Sequence, residues 1–241
     1  MPEKSKTALV VSAHSADFVW RAGGAIALYG AAGEAVTVIC LSYGERGESA
    51  KLWRQEGMTL ERVKSERRKE AEAAAVKLGV ADIQFWDLGD YPLTFTQEAL
   101  FRMVDVYRAI HPSIVLSHSE RDTYNPAHPA ATDFAQHARI VAQAHGHNPQ
   151  QKVLGAPPVF LFEPHQPEQC DWKPDVLLDI TPVWEKKRAA IECMAGQEHL
   201  WDYYTRVALQ RGAQAARNSD KKIVYGEGYQ AVFPHVVERL G

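Results

Sequence analysis

The chain has 241 residues, 46% of them hydrophobic and 24% charged, with a formal net charge of −3. That composition suits one large α/β domain over residues 1–241, and its acidic balance argues against general electrostatic binding to nucleic acid. Three cysteines, Cys40, Cys170 and Cys193, form no CxxC pair and imply no disulfide framework, so a cytoplasmic location is expected. The first apolar run is too short for a signal-peptide core and no other stretch could span a bilayer, so no membrane partner is expected.

Residues 7–13 read as a buried strand and 18–31 as a helix with Gly33 as its stop. The β-branched run at 36–41 is a second strand, apolar throughout as when both faces are covered. An amphipathic helix over 59–78 opens at Thr59 and closes at Gly79, and its run Glu66-Arg67-Arg68-Lys69-Glu70 reads as a solvated face. A strand at 83–86, a turn at 89–92, a helix at 97–110 and a strand at 114–116 follow. Beyond residue 150 the reading is of strands at 158–163 and 176–180, helices near 182–194 and 197–217, and an extended piece near 223–233. Leu200, Trp201 and Tyr204, at helical spacing, read as core or as a subunit interface, and a homo-oligomer is expected. The strand–helix alternation predicts an α/β fold. Its sheet is Rossmann-like and mostly parallel, flanked by helices, with a C-terminal helical and extended elaboration. No GxGxxG follows the first strand, so a dinucleotide is not expected.

Four strand-end loops are rich in metal-ligating and charged residues. They hold His14…Asp17, the segment 42–49, the segment 117–128 and the segment 163–168. Parallel strands carry such loops to one rim of the sheet, where they can share a pocket. His14 and Asp17 stand three residues apart where the first strand gives way to a helix. Imidazole and carboxylate on one tight turn suit zinc or another divalent metal. Ala16, between them, cannot ionise.

The segment Val10-Val11-Ser12-Ala13-His14-Ser15-Ala16-Asp17, the Gly-Glu loop after the second strand and Asn125-Pro126-Ala127-His128 together resemble the LmbE-like (PIG-L) superfamily. Its members are mostly zinc-dependent N-acetylglucosaminyl deacetylases with a Rossmann-like fold. The resemblance implies that His14, Asp17 and His128 hold the metal and leave an open position. It also exposes departures. Ala16 stands where those enzymes place a carboxylate base, and Asn125 and Ala127 replace a histidine and an aspartate. The scaffold and ligands are kept while the hydrolytic base is missing, which means either lost activity or changed chemistry.

Four further blocks resemble the hydratases of bacterial gallate degradation: residues 14–24, 44–49, 162–170 and 194–201. That resemblance implies a metal-dependent lyase that adds water to an unsaturated tricarboxylic acid, 4-oxalomesaconate, to give 4-carboxy-4-hydroxy-2-oxoadipate. Glu48 is then the first candidate acid–base residue, followed by His165 and His199, with Tyr124 as a donor. Arg46 and Arg121 would clamp carboxylates, Asn125 would lie with them at the substrate, and Glu163 would contact the substrate or orient a histidine. The competing readings are a deacetylase with a base from another loop and a non-catalytic metal- or carboxylate-binding protein.

Overall fold

The computed structural model describes residues 6–234 and Val236. Strands β1 (Thr7–Ser12), β2 (Ala35–Cys40), β3 (Asp82–Phe85), β4 (Ile114–Ser117) and β5 (Val159–Phe162) pair in parallel. Strand β7 (Gly226–Ala231) runs antiparallel to both β5 and β6 (Val176–Asp179). The sheet order is β3-β2-β1-β4-β5-β7-β6, so the expected mostly parallel sheet is present and its extension is antiparallel. In this order the chain leaves β1 toward β2 and returns on the other side at β4. The crevice where open α/β sheets bind ligands therefore lies between the ends of β1 and β4.

Side-chain alternation along the strands feeds two cores. Ala8, Val10, Val36 and Val38 pack under α1 (Asp17–Ala31), α3 (Leu60–Leu78), α6 (Trp184–Ile191) and α7 (Trp201–Arg217). Leu9, Val11 and Ile39 face α4 (Gln97–Ile110) and α5 (Ala127–Gln143) on the opposite side. Both faces of β1 are covered, which is why its sequence shows no polar alternation. The hydroxyl of Thr59 accepts the N–H of Arg62 at 3.3 Å to cap α3, and Gly79 ends that helix in the left-handed region at φ 78°.

Two features differ from the sequence reading. Helix α5 falls in a stretch read only as loop up to residue 128. Within the charged run of α3, Arg68 and Lys69 are exposed but Arg67 is fully buried, reaching across the fold to Gln197. Tyr204 of α7, expected as core or subunit interface, lies in the core and stacks on Trp20 at 5.1 Å.

The antiparallel extension is tied to α1 by one buried carboxylate. Glu227 of β7 accepts hydrogen bonds from Lys187 Nζ (2.6 Å), Tyr229 Oη (2.6 Å) and the N–H groups of Gly24 (2.6 Å) and Ala25 (2.9 Å). Gly24 is required there, because a Cβ would lie 2.8 Å from that carboxylate. Removing one partner leaves the other charge buried and unpaired. Glu227→Ala is therefore expected to lower unfolding free energy by about 3–5 kcal/mol in urea melts. A loss below about 1 kcal/mol would mean that the extension is held by apolar packing alone.

Candidate metal centre

The turn after β1 builds the first half of the site. Ser12 Oγ donates to the carbonyl of His14 at 2.7 Å and accepts from Phe18 N–H at 3.2 Å. Asp17 Oδ2 accepts the backbone N–H of His14 at 2.9 Å, closing the turn and placing both side chains together at the start of α1. A carboxylate also suits the positive end of a helix. His14 Nδ1 lies 3.0 Å from Asp17 Oδ2 and 3.2 Å from Glu48 Oε1.

Glu48 arrives on the loop after β2. Gly44 takes φ 68°, and a Cβ on Gly47 would fall 2.2 Å from the Tyr91 ring. Only glycine permits that loop to pass the ring. Asp90 Oδ2 holds it from below by accepting the N–H groups of Arg46 (2.6 Å) and Gly47 (3.0 Å). His128 comes from the first turn of α5, with Nε2 at 3.4 Å from Asp17 Oδ1 and 4.0 Å from Glu48 Oε1.

His14, Asp17, Glu48 and His128 thus offer ligand atoms that all lie within 4.8 Å of one another. Each histidine has a carboxylate behind it. His128 Nδ1 is 2.8 Å from Asp122 Oδ2, and His14 Nε2 is 3.6 Å from Asp90 Oδ1. For His128 that contact places the ring proton on the outer Nδ1 and leaves Nε2 facing the cluster, as in carboxylate–histidine–metal triads; the His14 contact is longer than a hydrogen bond, and its Nε2 has no partner. The inward lone pair of His128 Nε2, facing the carboxylates of Asp17 and Glu48, repels them unless a cation sits between. His128 Nε2 and Glu48 Oε2 are buried without a hydrogen-bond partner, so the residues fit a divalent cation.

The carboxylates of the cluster favour positive charge at its centre. Burial pulls the His14 imidazole down, but Glu48, Asp17 and Asp90 outweigh it and hold the pKa well above the ordinary histidine value. Burial raises Asp17, yet His128, His118 and His14 hold it well below the usual carboxylate range. His118 plays a different part. Its Nε2 accepts the Ala13 N–H at 2.9 Å, its ring stacks on His128 at 4.2 Å, and burial followed by the neighbouring His128 pushes its pKa well down. It is a neutral buttress of the β1 turn.

A pocket of about 210 Å³ opens over the cluster, lined by residues that include Arg21, Glu48, Tyr124, Asn125, His165 and Gln197. All four ligand-rich loops reach it. Asn125 donates from Nδ2 to Glu48 Oε1 at 3.4 Å and caps the start of α5 by accepting the Ala127 N–H at 3.1 Å. His165 is half-buried against Tyr203, with Tyr124 edge-on at 6.3 Å. Tyr124 is exposed at the rim.

Other sequence candidates lie elsewhere. Arg46 is exposed and contributes its backbone N–H to Asp90. Arg121 is exposed and paired with Asp171 on the surface. His199 is exposed on a neighbouring groove that also touches Glu48 and Gln197. Glu163 is gripped by Arg211 at 2.6 and 2.8 Å.

Sequence reasoning passed over Arg21, Asp90 as a histidine partner, Asp122 and Gln197. Among the described residues, Arg21 is the only lysine or arginine that lines the pocket. It sits one helical turn after Asp17, its Nε 3.5 Å from Asp17 Oδ1, and its Nη1 donates to the Glu163 carbonyl at 2.8 Å. The i,i+4 spacing from Asp17 was the available signal.

The fold and sequence both have known counterparts. The 4-oxalmesaconate hydratase of Pseudomonas putida is 63% identical over an alignment of 244 residues, covering 100% of this chain and 94% of that protein. The crystal structure of GalB, the 4-carboxy-2-hydroxymuconate hydratase of Pseudomonas putida KT2440, superimposes with a TM-score of 0.96 at 63% identity, covering 98% of this chain and all of that one. The N,N'-diacetylchitobiose deacetylase of Pyrococcus horikoshii shares the fold, with a TM-score of 0.79 at 22% identity over 95% of this chain and 84% of its own. The family model for GlcNAc-PI de-N-acetylases (PIG-L) matches residues 9–139, the segment that carries the β1 turn, the Glu48 loop and α5. The chain belongs to the PIG-L family.

Proposed function

We propose that this protein is a metal-dependent hydratase that adds water to 4-oxalomesaconate, or its enol 4-carboxy-2-hydroxymuconate, giving 4-carboxy-4-hydroxy-2-oxoadipate. The observation that carries this reading is the exchange of base within a kept ligand set. Ala16 is fully buried in the core, while Glu48 reaches the cluster from another loop. The full-length similarity to two hydratases supports it.

His14, Asp17 and His128 would hold the cation, which we take to be zinc; the same donors accept Mn, Fe or Co. Bound there, it would supply positive charge that stabilises the charge developing as water adds. Glu48 takes a proton from the attacking water while the hydroxyl adds to one alkene carbon, and a proton is returned to the neighbouring carbon. Arg21, rather than Arg46 or Arg121, supplies the fixed charge for a substrate carboxylate. Tyr124 and Asn125 line the rim above it. The free thiols of Cys40, Cys170 and Cys193 fit a cytoplasmic enzyme.

His165 enters this chemistry uncharged. Burial, with Arg21 beside it, holds its pKa below 6.5, the ordinary histidine value. A neutral imidazole accepts a hydrogen bond or a proton, and it gains a proton only as pH falls through its lowered pKa. The acidic limb of kcat/KM is therefore expected below pH 6.5 and to disappear in His165→Gln. A limb above that value in both proteins would remove His165 from the mechanism.

Turnover in H₂¹⁸O tests the reaction class. One ¹⁸O in the C4 hydroxyl of the product is expected; substrate that stays unchanged with metal-loaded protein would overturn the hydratase. A second reading, deacetylation with Glu48 as the base, is favoured by the shared fold. Release of acetate from N-acetylated sugars would show it.

A further inference from the structure

The block Met194-Ala195-Gly196-Gln197-Glu198-His199-Leu200-Trp201 is one that the sequence singles out, yet the reaction scheme leaves it unused. Its histidine points to solvent. Its glutamine does the reverse: Gln197 is 5% exposed and lines both the metal pocket and the neighbouring groove.

The orientation of that amide is fixed from behind. Gln197 Oε1 accepts from Arg67 Nη2 at 2.6 Å. A guanidinium carries five donors and no acceptor, so the oxygen, not the nitrogen, must face Arg67. Arg67 is itself fully buried and anchored through Nη1 to Glu70 Oε2 at 2.6 Å. Glu70 closes the circuit, its Oε1 accepting the Gly196 N–H at 2.6 Å. Among the described residues nothing accepts from Gln197 Nε2, and that atom is not sealed from solvent. Burying an arginine is costly, and a shorter side chain could have closed the core without it. The arrangement presents two N–H donors to the pocket and prevents the amide from flipping to present its oxygen.

We propose that Gln197 is the pocket's amide donor to a carboxylate of the substrate, and that Arg67 is the positioning residue that holds the amide in its donating orientation. The identity of the anion rests on the hydratase reading. With Arg21 on the other wall, the pocket then offers one charged and one neutral recognition point for an acid bearing several carboxylates. A pocket with acceptors at these positions would repel such a substrate.

Two substitutions separate recognition from structure. Gln197→Glu keeps an acceptor for Arg67 and removes both N–H donors. Gln197→Met removes donor and acceptor together and strands Arg67. Gln197→Glu is expected to keep Tm and metal content and to raise KM about ten- to a hundredfold, with a smaller change in kcat. Gln197→Met is expected to lower Tm and raise KM alike. The charge added by Gln197→Glu repels an acid by itself, so the neutral Gln197→Met decides donation: assayed well below its Tm it is expected to share the rise in KM, and a KM within about twofold of the parent would overturn the proposal. A Gln197→Glu enzyme with KM within about twofold of the parent would overturn the proposal. Absence of turnover in the unsubstituted protein would overturn the hydratase reading instead. Calorimetric binding of tricarballylate to the metal-loaded proteins then decides the donor by itself. Weaker binding to Gln197→Met as well as to Gln197→Glu supports it, and binding to Gln197→Met equal to the parent's, or none to the parent, overturns it.

Discussion

Glu48→Gln is expected to retain its metal and lose turnover by about 10²–10⁴-fold, the range general acid–base catalysis supplies. The substitution keeps the shape of the side chain and its acceptor for Asn125 Nδ2, which lies 3.4 Å away. The loop itself is held elsewhere, by Asp90 from below and by the passage of Gly47 against Tyr91. What changes is the capacity to carry a proton. Stopped-flow kinetics with metal analysis on the same sample separates the outcomes. Loss of metal together with activity would make Glu48 a ligand rather than a proton carrier. Unchanged turnover would remove it from the mechanism.

His14→Ala and Asp17→Ala are each expected to lose bound metal and activity together, with activity falling to the metal-free level. Asp17 has several roles at once. It closes the turn through the His14 N–H, faces His14 and His128, and lies against Arg21. Removing it therefore takes the nearest carboxylate from a buried guanidinium and removes a ligand position, and a drop in Tm should accompany the metal loss. His14→Ala leaves Asp17 with His128 and Arg21 and should lose less stability for the same loss of metal. Elemental analysis of dialysed proteins beside thermal melts reads both quantities. A variant that keeps stoichiometric metal would exclude the substituted residue as a ligand.

The sheet and half of the site were legible because they are local. Strand-length apolar runs alternate with helical ones, and the His14–Asp17 turn spans only four residues. Helix α5 was hidden by Pro126 and Pro129, which resemble loop punctuation. Both fall at the start of the helix, where the N–H groups lack intrahelical partners and proline is tolerated. The extended piece near 223–233 was visible, but its insertion between β5 and β6 depends on tertiary pairing. The Arg67–Gln197 bond joins residues far apart in sequence, so the charged run of α3 gave no sign that one of its members turns inward. The arginines chosen as carboxylate clamps were chosen for their loops. The pocket is lined instead by Arg21, on a helix, because the side chain one turn after Asp17 is directed to the same crevice.

The most direct measurement is the decay of the conjugated ultraviolet absorbance of 4-oxalomesaconate with purified protein, before chelation, after it and after divalent metal is restored. The account predicts rapid decay, its loss on chelation and its return with metal, with 4-carboxy-4-hydroxy-2-oxoadipate as the product. No decay in metal-loaded protein, or decay that chelation leaves untouched, would contradict it.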